Sequence, residues 1–393
     1  MIKVSKGCLG EDELAAVRDA FEYGYFGLAA RVLEFEEALK QYLGAEHVVA
    51  TNTGTAALHL ALDALGIGRG DEVIVPSLTY VAAFQAIAAT GATPIACDVE
   101  PDTLLMDLGD AEARITERTR ALMPVHYAGS PCDMDALLEL GERHKLRIVD
   151  DAAHAFGTTH KGRKIGGFGH VTCFSFDSIK NITCGEGGAV ICRDGELAET
   201  LRQKRTLGIS RKSPADNAKV QGWQFDVTTN GFRYHMSNIN GAIGLAQLKR
   251  VAGFIGRRRD ICRVYDAAFR DLSGVQPLRI NYDETAPHVY VVRVKDLKRD
   301  QLMEFLGNRG IETGINYVPN HLHSYFWVDG LRLPETESAY TEILTLPLHC
   351  ALSDSDVKFV IDSVASFFLE HDEVRNESSP SVRRPGNAAA GRN

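Results

Sequence analysis

The sequence has no apolar run near the length of a membrane span, and its opening residues, MIKVSKGCLG, carry no apolar core of the signal-peptide kind. A cytoplasmic protein without a membrane partner is the expectation. Positive charge is also in deficit. The chain holds 43 Lys and Arg against 52 Asp and Glu, a net charge of −9. That argues against nucleic acid as the main partner, which would favour a basic face. The eight cysteines include no CxxC pair and no cluster with histidines. A disulfide framework and a structural zinc site are therefore not expected. Cys97, Cys173 and Cys192 sit inside apolar runs, as buried cysteines commonly do. Neither the GxGxxG dinucleotide fingerprint nor the GK[ST] element of a Walker loop is present.

What is there is an alternation of short apolar runs with helix-like segments. Strands are predicted at 47–50, 72–75, 93–97, 121–125, 146–149, 171–176 and 189–191, with helices opening at Thr53, Tyr80 and Asp133. This βαβα order implies an α/β fold, with a mainly parallel sheet covered by helices on both faces. Ligands of such sheets sit at the carboxyl ends of the strands. A second rhythm follows, with a long helix through Gln247–Leu272, a strand at 289–294 and a helix at 300–309. Residues 1–240 are thus read as a large domain with an N-terminal segment, and 241–370 as a smaller α+β domain. Residues 371–393, rich in Ser, Pro, Arg, Asn, Gly and Ala, are read as a disordered tail.

The strand ends carry the chemistry. Thr53-Gly54-Thr55 offers backbone N–H groups, a hydroxyl and a positive helix end, which together suit a phosphate; the same residues also read as a plain helix cap. Asp150 and Asp151 end a strand, where a buried carboxylate can hold a ring nitrogen protonated or merely cap a helix. Tyr80 opens a helix and reads either as a flat partner for a planar ring or as a half-buried core aromatic. Lys180 follows Ser175 by five positions and runs into Gly185-Glu186-Gly187-Gly188. A lysine at such a turn is a candidate for binding an aldehyde covalently. An amine, a ring-nitrogen carboxylate, a flat partner and phosphate donors are the needs of pyridoxal phosphate. Lys180, Asp151, Tyr80 and Thr55 with Ser175 would supply one each.

With these residues in view, the sequence resembles the DegT/DnrJ/EryC1/StrS sugar aminotransferases, a branch of the fold-type I pyridoxal-phosphate enzymes, over about residues 8–368. The likeness rests on Thr53–Leu58, Asp71–Pro76 with Thr79-Tyr80, Asp151–His154, Ser175-Phe176 with Lys180 and Gly185–Gly188, and Leu346-Pro347-Leu348. Lys180-Asn181-Ile182-Thr183-Cys184 is similar to the branch acting at C4 of nucleotide-linked keto sugars. The resemblance implies that Lys180 binds the cofactor aldehyde and carries protons, and that Asp151 pairs with the pyridine nitrogen. His154 would contact the ring's 3-oxygen and Tyr80 would stack. Gly54, Thr55 and Ser175 would bind phosphate, and Glu186 and His321 would lie near the sugar. One departure stands out. Where the family commonly shows G-[FY]-N-[YF]-R-M, this chain has Gly231-Phe232-Arg233-Tyr234-His235-Met236. Arg233 or Asn230 would then reach the phosphate of a partner subunit's cofactor; an interface salt bridge is the other reading of Arg233.

The implied activity is transfer of an amino group from L-glutamate, giving 2-oxoglutarate, to a nucleotide-linked 4-keto-6-deoxy sugar, by a homodimer that passes through the pyridoxamine phosphate form. Amination at C3, amination of a cyclitol ketone, and a non-catalytic sensor-like role are the alternatives. The dehydratase relatives replace the lysine by histidine, so Lys180 argues against that chemistry. Arg211, Lys212 and Lys219 are candidates for the anionic nucleotide, or simply charges of a solvated loop.

Overall fold

The computed structural model describes residues 1–210 and 225–377. Its large sheet is built from β1 (His47–Thr51), β2 (Glu72–Pro76), β3 (Thr93–Cys97), β4 (Thr119–Leu122), β5 (Arg147–Asp151), β6 (Val171–Ser175) and β7 (Gly188–Cys192). The order across the sheet is β1-β7-β6-β5-β4-β2-β3. Only β7 runs against the others: it pairs antiparallel with both β1 and β6, while every remaining pair is parallel. The expected mainly parallel α/β sheet is therefore present.

Strands β2, β6 and β7 are buried at every position, as continuous apolar runs should be when both faces are covered. Alternate residues feed two different cores. Ile148, Phe174 and Ile191 pack on one face with Phe35 and Leu137. Val149, Cys173 and Val190 pack on the other with Leu58, Ile87 and Leu201. The strand period of two thus explains why helices lie on both sides.

The strand predictions agree to within three residues at each end; the helix predicted from Tyr80 begins at Ala82 and ends at Ala89 as expected. Tyr80 itself stays in the preceding turn. Pro76 closes β2, and Thr53 caps the helix Gly54–Ala64 by accepting the Ala56 N–H at 3.0 Å.

The second rhythm forms a three-stranded antiparallel sheet of β8 (Val275–Pro277), β9 (Tyr290–Val294) and β10 (Ile343–Leu346). Its core joins Tyr265, Phe269, Val292, Leu344, Val360 and Phe367. We propose the domain division at 240/241, which falls in the first turn of one continuous helix, Asn238–Phe269. The last described helix, Asp354–Glu377, runs past residue 370, where the sequence reading placed the start of the tail; residues 378–393 lie outside the described residues.

The smaller sheet's surroundings also reach into the large domain. The segment 319–321 docks on the turn after β2. Asn320 Nδ2 donates to the carbonyls of Ser77 (3.1 Å) and Thr79 (2.8 Å), and the Asn320 N–H donates to Ser77 O at 2.9 Å. That turn carries Tyr80.

Candidate active site

The carboxyl ends of β1, β2, β4, β5 and β6 open on one edge of the sheet. Because β7 is antiparallel, its first residue lies at the same edge, with Gly188 paired to both Thr51 and Ser175. A Cβ on Gly188 would stand 2.4 Å from the Thr53 carbonyl oxygen, so only glycine lets the two backbones approach this closely. The result is a cavity of about 400 Å³ whose lining includes Gly54, Thr55, Tyr80, Asp151, His154, Ser175, Lys180 and Glu186. Eight residues nominated from sequence thus meet at one place.

Each is held by its local structure. Lys180 closes a turn in which its N–H donates to the Asp177 carbonyl at 3.1 Å. The turn is anchored from behind by Asn181, whose Nδ2 donates to the carbonyls of Phe156 (3.2 Å) and Ala286 (3.0 Å). Burial pulls the Lys180 amine down to about 8, against the pull of the Asp151 and Asp177 carboxylates. Its Nζ has no hydrogen-bond partner among the described residues. Asp151, buried at the end of β5, accepts the Ala153 N–H at 3.1 Å. Burial raises its carboxyl, while that N–H and Lys180 hold it down. Neighbouring Asp150 faces away from the cavity and accepts from the Thr172 hydroxyl at 3.0 Å; burial pushes it up to about 7. Of the two aspartates, the structure brings Asp151 to the site.

His154 is buried, and its Nε2 lies 2.9 Å from the Tyr317 hydroxyl; its Nδ1 has no hydrogen-bond partner among the described residues. Burial, assisted by Lys180, keeps the ring neutral by pulling it well below its ordinary value. The His288 ring lies against it at 4.4 Å. Tyr80 is 58% exposed, so one face of its ring is free at the cavity mouth. Its ring centroid is 5.5 Å from that of Tyr317. Glu186 sits at the exposed rim, where partial burial and then Asp177 raise its carboxyl.

Tyr317, Asn316 and Asp177 line the cavity without having been nominated. Asp177 lies within the Ser175–Lys180 turn and was legible there. Tyr317 comes from the segment before Pro319-Asn320-His321, whose docking on the turn after β2 is a tertiary contact with no signal in the sequence.

Other nominated residues lie elsewhere. His321 is buried outside this cavity. Its Nδ1 is 2.7 Å from Ser77 Oγ and its Nε2 is 3.6 Å from Glu337. Its contacts steady the turn that presents Tyr80. Arg233 and Asn230 are exposed and do not line the cavity; Arg233 is bridged through its backbone to Thr206. Arg211, Lys212 and Lys219 lie outside the described residues.

The residues present fit pyridoxal phosphate. At the start of helix Gly54–Ala64, the N–H groups of Gly54 and Thr55 donate to no protein acceptor among the described residues, and they open on the cavity beside Ser175. A Cβ at Gly54 would fill that cradle, lying 2.7 Å from Ser175 Cβ. A phosphate satisfies both donors and the helix end. A ring-nitrogen proton offers the buried Asp151 the positive partner that burial otherwise denies it.

The sequence pattern of the DegT/DnrJ/EryC1/StrS aminotransferase family matches residues 7–365. The aminotransferase TlmJ from Streptoalloteichus hindustanus is similar in structure, with a TM-score of 0.89 at 37% identity over 94% of this chain and 99% of that one. The sugar aminotransferase CalS13 from Micromonospora echinospora gives a TM-score of 0.86 at 32% identity over 93% and 100%. Spr1654 from Streptococcus pneumoniae in its PLP form gives 0.87 at 31% identity over 94% and 99%. With its parallel sheet, its lysine turn and its phosphate cradle, the chain belongs to the DegT/DnrJ/EryC1/StrS aminotransferase family and is a pyridoxal-phosphate-dependent enzyme.

Proposed function

We propose that the enzyme transfers an amino group from L-glutamate to the C4 keto group of a nucleotide-linked 4-keto-6-deoxy sugar. The observation that carries the reading is the meeting of Lys180, Asp151, Tyr80 and the Gly54–Thr55 donors in one cavity. The sugar as acceptor is supported by similarity to CalS13, a sugar aminotransferase; C4 is supported by the resemblance at Lys180–Cys184.

Pyridoxal phosphate, when bound, supplies an aldehyde that takes up amino groups and a protonated ring that withdraws electrons. Gly54, Thr55 and Ser175 hold its phosphate, Asp151 holds the ring-nitrogen proton, and Tyr80 covers one face. Burial brings the Lys180 amine down to about 8, so a substantial neutral fraction exists near that pH, and its Nζ can take the proton from the Cα of the amino donor and later return one to the acceptor carbon. The neutral His154, tied to Tyr317, adds no positive charge to compete with the ring.

The reading includes a cytoplasmic homodimer with shared sites. Arg233 or Asn230 of each copy, exposed and away from its own cavity, reaches the phosphate of the other copy's cofactor. Glu186 lies near the sugar, and Arg211, Lys212 and Lys219 serve the nucleotide. Mixing an inactive Lys180→Ala protein with an Arg233→Ala protein tests the sharing, because hybrid dimers then hold one intact site and activity returns. Cell fractionation tests the compartment.

The central test offers the pyridoxamine-loaded enzyme a panel of keto sugars linked to dTDP, UDP or GDP. Return of the aldehyde-form absorbance with a 4-keto sugar, and an amine at C4 by NMR, is the expected result. Nitrogen at C3, or reaction with cyclitol ketones alone, would replace the assignment. A cofactor-loaded protein that glutamate never converts to the amine form would point to the sensor-like role instead.

A further inference from the structure

Away from the active site, one pair of nucleophiles stands apart. Cys97, Cys132, Cys173, Cys184, Cys192 and Cys262 are buried, whereas Cys8 and Cys350 are partly exposed. These two lie near opposite ends of the chain, yet both line one open cavity and pack on the same core, close enough for each thiol to shift the acidity of the other. Backbone ties bring them together. Leu348 N donates to Val4 O at 3.0 Å, Ile2 bridges Ile311, and the Cys8 carbonyl accepts from Gln247 Nε2 at 2.9 Å.

Both thiols line an open cavity of about 700 Å³ together with Lys6, Lys249, Arg250 and Arg257. Arg250 is paired with Glu13 and Arg257 with Asp354, while Lys6 and Lys249 have no ion-pair partner among the described residues. Arg258 faces Cys350 from the long helix, and His349 is its chain neighbour. The Cys8 S–H, followed by Arg258, brings the Cys350 thiol down to about 6 against the effect of burial. The neighbouring Cys350 thiol, and then burial, push the Cys8 thiol up. An accessible thiolate in positive surroundings, with a second thiol beside it, is the arrangement of a redox-reactive pair.

We propose that Cys350 and Cys8 form a reversible disulfide, with Cys350 as the attacking thiolate, Cys8 as the resolving thiol and a small-molecule disulfide as the oxidant. Cys350 Sγ bonds to one sulfur of oxidised glutathione, whose S–S bond breaks and releases one glutathione thiolate. Cys8 then gives its proton to solvent and its Sγ attacks Cys350 Sγ, releasing the second glutathione thiolate. Two cysteine thiols are oxidised, and one glutathione disulfide is reduced to two thiols.

The bond would act on a segment that touches the lysine turn. A Cβ on Gly7 would lie 2.8 Å from the Ser178 carbonyl oxygen, and Gln247, which holds the Cys8 carbonyl, also accepts the Thr183 N–H at 3.3 Å. Oxidation therefore ties residues 7–8 against the support of Lys180.

The test uses the full-length, cofactor-loaded protein. It is reduced, incubated with oxidised glutathione at about pH 7.5, quenched in acid and digested without reductant. The expected product is one peptide pair joined through Cys8 and Cys350, lighter than the two free peptides by two hydrogens and separated again by dithiothreitol. Cys8→Ser should leave Cys350 trapped as a mixed disulfide with glutathione. Cys350→Ser should leave Cys8 modified at least about tenfold more slowly. Failure to find the joined peptide in the wild type, or equal glutathione uptake by the two variants, overturns the proposal. The wild-type result stands on its own if either variant does not fold.

Discussion

A Cβ on Gly54 would lie 2.7 Å from the Cβ of Ser175 and 3.0 Å from its Oγ. Two residues from different strand ends are thus in contact only because one has no side chain. Alanine at 54 gains helix propensity but overpacks the cradle, an effect of about 1–3 kcal/mol. Gly54→Ala should weaken pyridoxal phosphate binding at least about tenfold, as read by fluorescence titration. Adding Ser175→Gly should recover part of that loss, since the two substitutions share one contact. Full additivity of the two effects would show that the contact does not matter.

Lys180 carries a stability cost in the cofactor-free protein. Its folded value is about 8 against an ordinary 10.5. Between these two values the unfolded chain binds more protons, so the contribution of this residue to stability rises with pH across that window. Below pH 8 the full penalty of a buried ammonium is present. Lys180→Met should therefore raise apo-protein stability at pH 7 by about 1–3 kcal/mol, and by much less at pH 10.5. Denaturant melts at the two pH values decide it; an equal gain at both would mean that packing, not charge, is responsible. The same variant should lack the visible absorbance of a lysine-bound cofactor.

The Tyr317 hydroxyl is the protein partner of His154 Nε2. Phenylalanine at 317 keeps the ring against Tyr80 and leaves both nitrogens of a buried imidazole unpaired. Tyr317→Phe should cost about 1–2 kcal/mol of stability. It should also slow the half-reaction with glutamate by about tenfold. Stopped-flow absorbance and thermal melts separate the two effects. A slower half-reaction without loss of stability would assign Tyr317 to the chemistry rather than to the support of His154.

Asp98 works as a cap for a helix far along the chain. Helix Pro334–Glu342 has no side-chain cap of its own at Leu333. Instead Asp98 accepts from the Glu335 N–H at 3.0 Å, the Thr336 N–H at 2.7 Å and the Thr336 hydroxyl at 2.7 Å. Asp98→Ala leaves these buried donors unpaired and removes a carboxylate from a helix N-terminus, at a cost of about 2–4 kcal/mol. Urea unfolding should show that loss with the cofactor absorbance unchanged at low urea.

Much of the site was legible because strand ends can be read locally. Thr53–Thr55, Tyr80, Asp151, Ser175 and Lys180 each follow an apolar run, and a parallel sheet sends such ends to one edge. Tyr317 was not legible, since it reaches the cavity from a loop joined to the smaller sheet. His321 is the opposite case. Its motif suggested the sugar site, yet the fold seats its side chain on Ser77, outside the cavity.

By itself the sequence determined which residue types stand at the strand ends, where helices are capped, and which apolar faces need covering. Those are matters of period and local hydrogen bonding. Only the tertiary structure decided that β7 enters antiparallel and sets Gly188 between Thr51 and Ser175, that Asp98 caps a distant helix, and that desolvation brings the Lys180 amine down to about 8. Close approach and desolvation depend on atoms from remote parts of the chain, and so they exist only once the chain has folded.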